Sequence, residues 1–271
     1  MSQAPKAFVL AAGFGTRLRP WSDEKAKPLI PVAGVEALFF AIYRLAHAGI
    51  TEIIVNAHYK AEQIRSALDH FAEFFPKISF KYSFEKEILG TGGGIIKVLA
   101  ENEFPNGLLV LNGDTLGSFD LAPLFNVQGS TLAVSYDKNF LEIYNPLWID
   151  QKNKWTSQNS GKAAHFLGAH FLCPSDISLL QSKKLRVKEV DLFEGIYTPL
   201  ETEKRSVEAV EFLKDGKDFW FDLNTKELHK KAGKELAGSF FNVWKNVLGL
   251  RHPKLEPELA LKFWPLSSME N

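Results

Sequence analysis

Short apolar runs alternate with helical patterns over the first 114 residues, and that alternation limits the possible folds more than any other feature of the chain. Ala7 to Ala12 is a continuous apolar run, as a strand buried on both faces requires. Glu36 to Ala48 sets Leu38, Ile42 and Leu45 on one helical face and stops at Gly49. Ile53-Ile54-Val55 reads as the second strand. Lys60 to Phe75 carries Ile64, Leu68, Phe71 and Phe75 at spacings of 4, 3 and 4, an amphipathic stripe. Ile78 to Phe84 is a third strand, Gly90 to Gly94 a glycine-rich turn, and Ile95 to Glu101 a helix. Leu108 to Leu111 is another buried strand, running into Asn112-Gly113-Asp114. This order predicts an α/β fold with a Rossmann-like, mostly parallel sheet flanked by helices. Right-handed crossovers put the strand ends on one edge, where ligands gather. Two loops fall there, Gly13 to Pro31 and Asn112 to Asp114.

The second half has a different texture. Thr131 to Tyr136 reads as a strand, Trp148 to Gln158 as a hairpin, and Ala163 to Leu172 as a long apolar strand with Gly168 inside it. Lys188 to Leu200 and Thr225 to Leu248 read as helical. Val207 to Phe212 and Phe219 to Leu223 flank the turn 214–217, and the tail past Arg251 carries Pro253, Pro257 and Pro265. With no linker or repeat in between, one continuous domain over 1–271 is expected, its second half forming a smaller acceptor-binding lobe.

Charge and cysteine usage narrow the function classes. Lys plus Arg equals Asp plus Glu, 32 against 32, so the basic excess of a phosphate-neutralising nucleic-acid binder is missing. Cys173 is the single cysteine, which excludes an intramolecular disulfide and a multi-cysteine metal site. No apolar run reaches the roughly 20 residues of a membrane span. The N-terminal stretch reads as a first strand, not a signal peptide. A cytoplasmic protein without nucleic-acid or membrane partners is therefore expected.

The loop LAAGFGTRLRP is the most informative stretch. Gly13 and Gly15 follow the buried strand, but the third position of a dinucleotide fingerprint is Leu18, and no Gly-Lys-Ser/Thr closes a Walker A loop. What remains is a loop with Thr16, Arg17 and Arg19, followed by Lys25 and Lys27. Glycines let backbone amides approach an anion, Arg17 offers a planar fork and Lys27 a point charge. The plain alternative is a glycine turn with solvated basic residues.

LAAGFGTRLRP followed by KAKPLIPVAG resembles the opening of the sugar-1-phosphate nucleotidyltransferases, or NDP-sugar pyrophosphorylases. Four further stretches agree in order: TEIIVNAHYKAEQI, EKEILGTGGGI, VLNGDT and FWFDLNTKELH. The resemblance spans roughly residues 6 to 230 and implies an enzyme that uses Mg²⁺ to join a nucleoside triphosphate to a sugar 1-phosphate. It assigns 6–130 to nucleotide binding, 131–230 to the sugar phosphate and 231–271 to a helical tail.

By that resemblance, Ala12, Gly13, Gly15 and Thr16 hold the nucleotide. Arg17 meets the triphosphate and the leaving pyrophosphate, and Lys27 sits on the transferring phosphates. Ala26 replaces the first proline of the family's P-K-P motif. Glu85 faces the edge of the base with Gly90 and Thr91 beside it. Asp114 and Asp222 hold the Mg²⁺, a set of oxygen donors suited to that ion when substrate phosphates complete it. Asn112, Gly168 and Glu194 serve the acceptor sugar, and Lys154 or Lys162 its phosphate. The closing motif departs from the family at Asn224, where a glycine is usual. An asparagine can take the left-handed conformation that such a turn needs. His58, His165 and His170 read as structural.

The GTGGGI loop leans toward small uridylyltransferases acting on N-acetylmuramate 1-phosphate. Mannose-1-phosphate guanylyltransferases are the alternative, so the donor is UTP or GTP. Two rivals belong to other classes: a non-catalytic nucleotide-sugar sensor, expected to lose Arg17, Lys27, Asp114 or Asp222, and a glycosyltransferase, expected to carry Asp-x-Asp where Asn112-Gly113-Asp114 stands. Oligomeric state is not legible.

Overall fold

A computed structural model describes residues 4–214 and 216–254. Lys6–Leu10 lies at the heart of a nine-stranded sheet, parallel to Glu52–Ala57 on one side and Leu108–Asn112 on the other. Ser79–Phe84 extends this parallel set beyond Glu52–Ala57. Past Leu108–Asn112 the pairing changes. Lys162–Leu172 runs antiparallel to it and pairs, also antiparallel, with Ser130–Ser135 and Leu147–Ile149. Only Val207–Glu211, beside Ser130–Ser135, is again parallel. Parallel neighbours need a crossover, usually a helix. The first half supplies one each time; between Asp114 and Ser130 the only helix is the four-residue Ala122–Phe125. The sheet is thus mixed, its parallel part being the half expected from the alternation.

Side chains alternate across the central strand and feed two cores. Ala7 and Val9 pack with Leu38, Ile42, Ile64 and Leu68 on one face, whereas Phe8 joins Ile95, Val98 and Tyr197 on the other. The helix expected over Lys60 to Phe75 ends at Phe71, and Phe75 is still buried just beyond it. The helical stretch 225–248 is two helices, Lys226–Ala237 and Phe241–Arg251, separated at Gly238. Trp244 of the second is fully buried, 4.9 Å from the Phe40 ring, and its indole N–H donates to the Ala33 carbonyl at 3.1 Å. Asp215 of the 214–217 turn and the tail with Pro257 and Pro265 lie outside the described residues. No helix among the described residues is long and apolar enough to cross a membrane.

Lys188 to Leu200 departs most from expectation. The helical part is confined to a π-turn, Phe193–Tyr197, and a short helix, Thr198–Thr202. The Val190 carbonyl accepts from the N–H groups of Gly92 and Gly93 at 3.0 and 3.3 Å, and the Val190 N–H donates to the Leu89 carbonyl at 3.0 Å. Those groups are therefore unavailable to a helix ladder. The same packing explains the glycine run, which is not a turn: the helix begins at Gly90 and extends to Glu101. A Cβ on Gly92 would lie 2.1 Å from the Asp191 carbonyl oxygen, and one on Gly93 2.1 Å from that of Lys188. The glycines admit a neighbouring backbone.

The histidines give the fold a pH dependence. Burial lowers His165 and His229 to about 4 and His170 to about 3. The unfolded chain, with histidines near 6.5, binds more protons than the native state between these values. Stability must therefore fall as pH drops from about 6.5 toward 4, by up to about 1.4 kcal/mol per pH unit for each histidine. Both ring nitrogens of His165 are buried without a hydrogen-bond partner, so His165→Phe removes a titrating group and no hydrogen bond. Urea denaturation of this variant should show a shallower loss of stability between pH 7 and pH 5 than wild type. An unchanged slope would refute the assignment.

Candidate active site

The carboxyl ends of the parallel strands open into two adjoining clefts. One, of about 170 Å³, is walled by Ala12, Glu85, Gly90, Thr91 and Asn112; the other, of about 290 Å³, by Gly15, Thr16, Arg17 and Lys27. Leu10, Gly13 and Asp114 line both. A larger cavity of about 510 Å³, between Arg44, Phe119 and Val247, contains neither Asp114 nor Asp222.

The glycine loop is built to admit Lys27. Gly15 has φ +66°, and a Cβ there would stand 2.9 Å from the Lys27 Cβ. Thr16–Leu18 forms a single 3₁₀ turn that leaves Arg17 exposed while Leu18 is buried. Lys27 opens a second 3₁₀ turn, Lys27–Leu29, anchored by the buried Pro28 and Leu29.

Two carboxylates far apart in sequence meet through a small ribbon. Trp220–Asp222 pairs antiparallel with Thr115–Gly117, setting Asp222 opposite Thr115 and beside Asp114. The Leu223 N–H donates to the Asp114 carbonyl at 3.1 Å. The Lys27 ammonium donates to Asp114 Oδ2 and to Asn224 Oδ1. The Asn224 N–H donates to Asp222 Oδ1 at 2.9 Å. Asp222 is buried, and this desolvation pushes its carboxyl above the usual aspartate range. Hydrogen bonding from Asn224 opposes the shift, the Asp114 charge adds to it, and Lys27 opposes it. Asn224 does not have positive φ, so its turn needs no left-handed residue, contrary to the sequence-based expectation.

Glu85 is 1% exposed. Its Oε1 accepts from Asn56 Nδ2 at 2.6 Å and its Oε2 from the Leu89 N–H at 3.1 Å. Asn56 Oδ1 in turn accepts from the Ala11 N–H at 2.6 Å. Burial raises the Glu85 carboxyl above its usual range, and the two hydrogen bonds oppose this. Asn56 thus ties the glycine loop to Glu85. Sequence reading passed over it, although an asparagine closing the apolar run Ile53-Ile54-Val55 was the available signal.

Gly168 has φ +71° inside an irregular stretch of the Lys162–Leu172 strand, and a Cβ there would lie 3.0 Å from Asn112 Nδ2. Asn112 and Gly168 therefore adjoin. The Trp220 indole N–H donates to the Leu167 carbonyl at 2.8 Å, linking this strand to the one that carries Asp222. Glu194 is exposed in the π-turn, outside both clefts. Lys154 pairs with Glu208 at 2.9 Å, and the Lys162 ammonium lies 3.3 Å from the centre of the Tyr136 ring. Tyr144, also not anticipated, stacks on His165 at 4.4 Å; burial first, then the charge of Asp222 and a hydrogen bond to it, raise its hydroxyl pKa.

Among the described residues no three His, Cys, Asp or Glu side chains gather as a metal site. Asp114 and Asp222 form an all-oxygen pair, which suits a hard divalent cation whose remaining ligands come from phosphates.

A family model for nucleotidyl transferases matches residues 6–133. Over 148 residues the chain is 34% identical to a D-glycero-alpha-D-manno-heptose 1-phosphate guanylyltransferase of Campylobacter jejuni, covering 55% of this chain and 65% of that protein. Over 129 residues it is 37% identical to an N-acetylmuramate alpha-1-phosphate uridylyltransferase of Neisseria meningitidis, covering 46% of this chain and 53% of that one. The chain thus spans less than two thirds of the length of these relatives. The crystal structure of HddC from Yersinia pseudotuberculosis complexed with GMP-PN superposes with a TM-score of 0.65 at 22% identity, covering 86% of this chain and 100% of that one. The likeness of fold therefore extends beyond the matched residues 6–133.

Proposed function

We propose that the protein is a sugar-1-phosphate nucleotidyltransferase, moving a nucleoside monophosphate from a nucleoside triphosphate to a sugar 1-phosphate with release of pyrophosphate. The observation that carries this reading is the Lys27–Asp114–Asn224–Asp222 cluster beside a glycine loop bearing Arg17. A sensor would have no need for that set of charges.

The acceptor phosphate is already a nucleophile, so the site needs no general base. Its oxygen attacks the α-phosphorus in line as pyrophosphate departs, and the residues contribute position and charge neutralisation. The Gly13–Thr16 backbone cradles the phosphates, while Lys27 and Arg17 offset the negative charge of the triphosphate and the leaving group. Asp114 and Asp222 would hold Mg²⁺, which when bound neutralises charge on the phosphate oxygens. Asn112 and the Gly168 backbone bound the acceptor sugar. Activity should therefore appear in a pyrophosphate-release screen of four nucleoside triphosphates against a panel of sugar 1-phosphates. No release with any pair would refute the reading.

The finer reading is a uridylyltransferase acting on N-acetylmuramate 1-phosphate. Uracil presents one N–H between two carbonyls, which fits one pinned carboxylate, Glu85, with the backbone N–H groups of Gly90 and Thr91 nearby. The guanylyltransferase relatives favour GTP as the second reading, since a carboxylate can also accept from both N–H groups of guanine. Competition of UTP and GTP at equal concentration should favour UTP by more than about tenfold, because an ill-matched base leaves buried polar groups unpaired at roughly 1–3 kcal/mol each. A GTP preference would reverse the order of the two readings.

Arg17 should act mainly on turnover, because the charge it meets develops as pyrophosphate leaves. Arg17→Ala is expected to lower kcat on the order of 10²-fold. Arg17→Lys should restore only part of this, since an ammonium cannot supply the guanidinium fork. A change confined to KM for the nucleotide would make Arg17 a ground-state anchor only.

A further inference from the structure

Asn224 touches both halves of the charged cluster. Its side-chain oxygen accepts from Lys27 Nζ while its backbone N–H donates to Asp222 Oδ1 at 2.9 Å. The backbone on either side is fixed. The Leu223 N–H donates to the Asp114 carbonyl at 3.1 Å, and Thr225 caps the next helix by accepting from the Leu228 N–H at 3.3 Å. The amide oxygen is thus presented to Lys27 by a held turn rather than by a free loop.

The two acceptors that share the Lys27 ammonium differ in kind. Asp114 carries a charge and is one of the two carboxylates suited to a divalent cation. Asn224 is neutral. A cation drawn to Asp114 competes with Lys27 for the same carboxylate, and two cations on one acid repel. The Lys27 side chain is 10% exposed. A shielded ammonium that loses its ion pair must find another acceptor or move toward water. The amide oxygen of Asn224 is already bonded to it, and being uncharged it offers a second cation much less.

We infer that Asn224 is a positioning residue, whose side-chain oxygen keeps the Lys27 ammonium in the cleft when a divalent cation takes Asp114. The lysine then remains beside the site of the triphosphate instead of swinging out to solvent. This rests on the nucleotidyl-transfer reading of the site and extends it to a side chain at which the sequence departs from the family pattern. An aspartate would also hold Lys27, but would add a third negative charge facing the phosphates. Alanine or glycine would leave the lysine with Asp114 alone.

The test follows Lys27 directly by reductive methylation, read by peptide mass spectrometry with no nucleotide or acceptor present, without Mg²⁺ and with Mg²⁺ at a concentration that calorimetry shows to saturate the protein, water taking the positions that phosphates fill during turnover. Wild type, Asn224→Ala, Asn224→Gly and Asn224→Asp are compared; each keeps the backbone N–H that meets Asp222. Without Mg²⁺ all four should label slowly, because Asp114 retains the lysine. With Mg²⁺, wild type and Asn224→Asp should stay slow. The alanine and glycine variants should speed up by about tenfold or more, the scale of a lost hydrogen bond to a charged group. An Asp114→Ala background releases the ion pair without metal, and removing the Asn224 side chain there should give a similar acceleration. Equal labelling of wild type and the alanine and glycine variants in both arms would overturn the inference, as would wild type accelerating with Mg²⁺ to their level. Absence of pyrophosphate release by wild type would instead overturn the functional reading, which the labelling arms do not use.

Discussion

Asp222→Asn is expected to leave the fold intact and to reduce turnover on the order of 10³-fold or more, several kcal/mol of transition-state stabilisation. Asparagine keeps the shape of the side chain, so Oδ1 can still accept from the Asn224 N–H. What is lost is the charge, and with it half of the carboxylate pair proposed to hold the cation. The native pair is also electrostatically uneasy, since Asp222 is buried and the Asp114 charge raises its pKa further. Removing one acid relieves that repulsion, so the variant should be at least as stable as wild type while being far less active. Opposite changes in stability and turnover are hard to obtain from a purely structural acid. Asp114→Asn should lose activity to a similar extent, but it also weakens the Lys27 ion pair and is the less clean variant. Single-turnover rates at saturating Mg²⁺, with urea denaturation of the same samples, decide the matter. Turnover within a few-fold of wild type would remove the metal assignment.

Trp244→Ala is expected to cost about 3–5 kcal/mol of stability, the range for truncating a large buried aromatic side chain. The indole lies against Phe40 at 4.9 Å and Phe219 at 6.4 Å and seals one core from behind. Part of the loss is its hydrogen bond to the Ala33 carbonyl, so Trp244→Phe should cost less, about 1 kcal/mol for that bond plus the smaller ring. Trp244 does not line the two clefts beside Asp114. The kcat of the folded fraction should therefore be nearly unchanged at low temperature. Denaturation midpoints for the three proteins, beside initial rates, would show whether the helix Phe241–Arg251 serves the fold or the site. A rate loss at temperatures where the variant is fully folded would place it in the site.

The sequence by itself determined the parallel half of the sheet and the edge at which the two clefts open. Apolar runs such as Ala7 to Ala12 can be satisfied only when covered on both faces, and the stripe through Ile64, Leu68 and Phe71 supplies part of that cover. It also placed Arg17, Lys27 and Asp114 at one edge, because each follows a strand end or sits in the loop that leaves one. Contacts between segments distant in the chain were not legible. The glycine run 90–94 reads locally as a turn, yet it begins a helix, since its purpose is to admit the backbone of Lys188–Asp191 some hundred residues later. Lys188 to Leu200 reads as a helix, yet Val190 gives its hydrogen bonds to that glycine helix and cannot continue one. Asp222 joins Asp114 only because the ribbon Trp220–Asp222 pairs with Thr115–Gly117. Asn224 appears in the sequence as a departure from a motif; the folded chain makes it a ligand of Lys27, 197 positions away. Local pattern reports what each segment must bury, whereas a hydrogen bond between distant segments exists only once the chain has brought them within about 3 Å of each other.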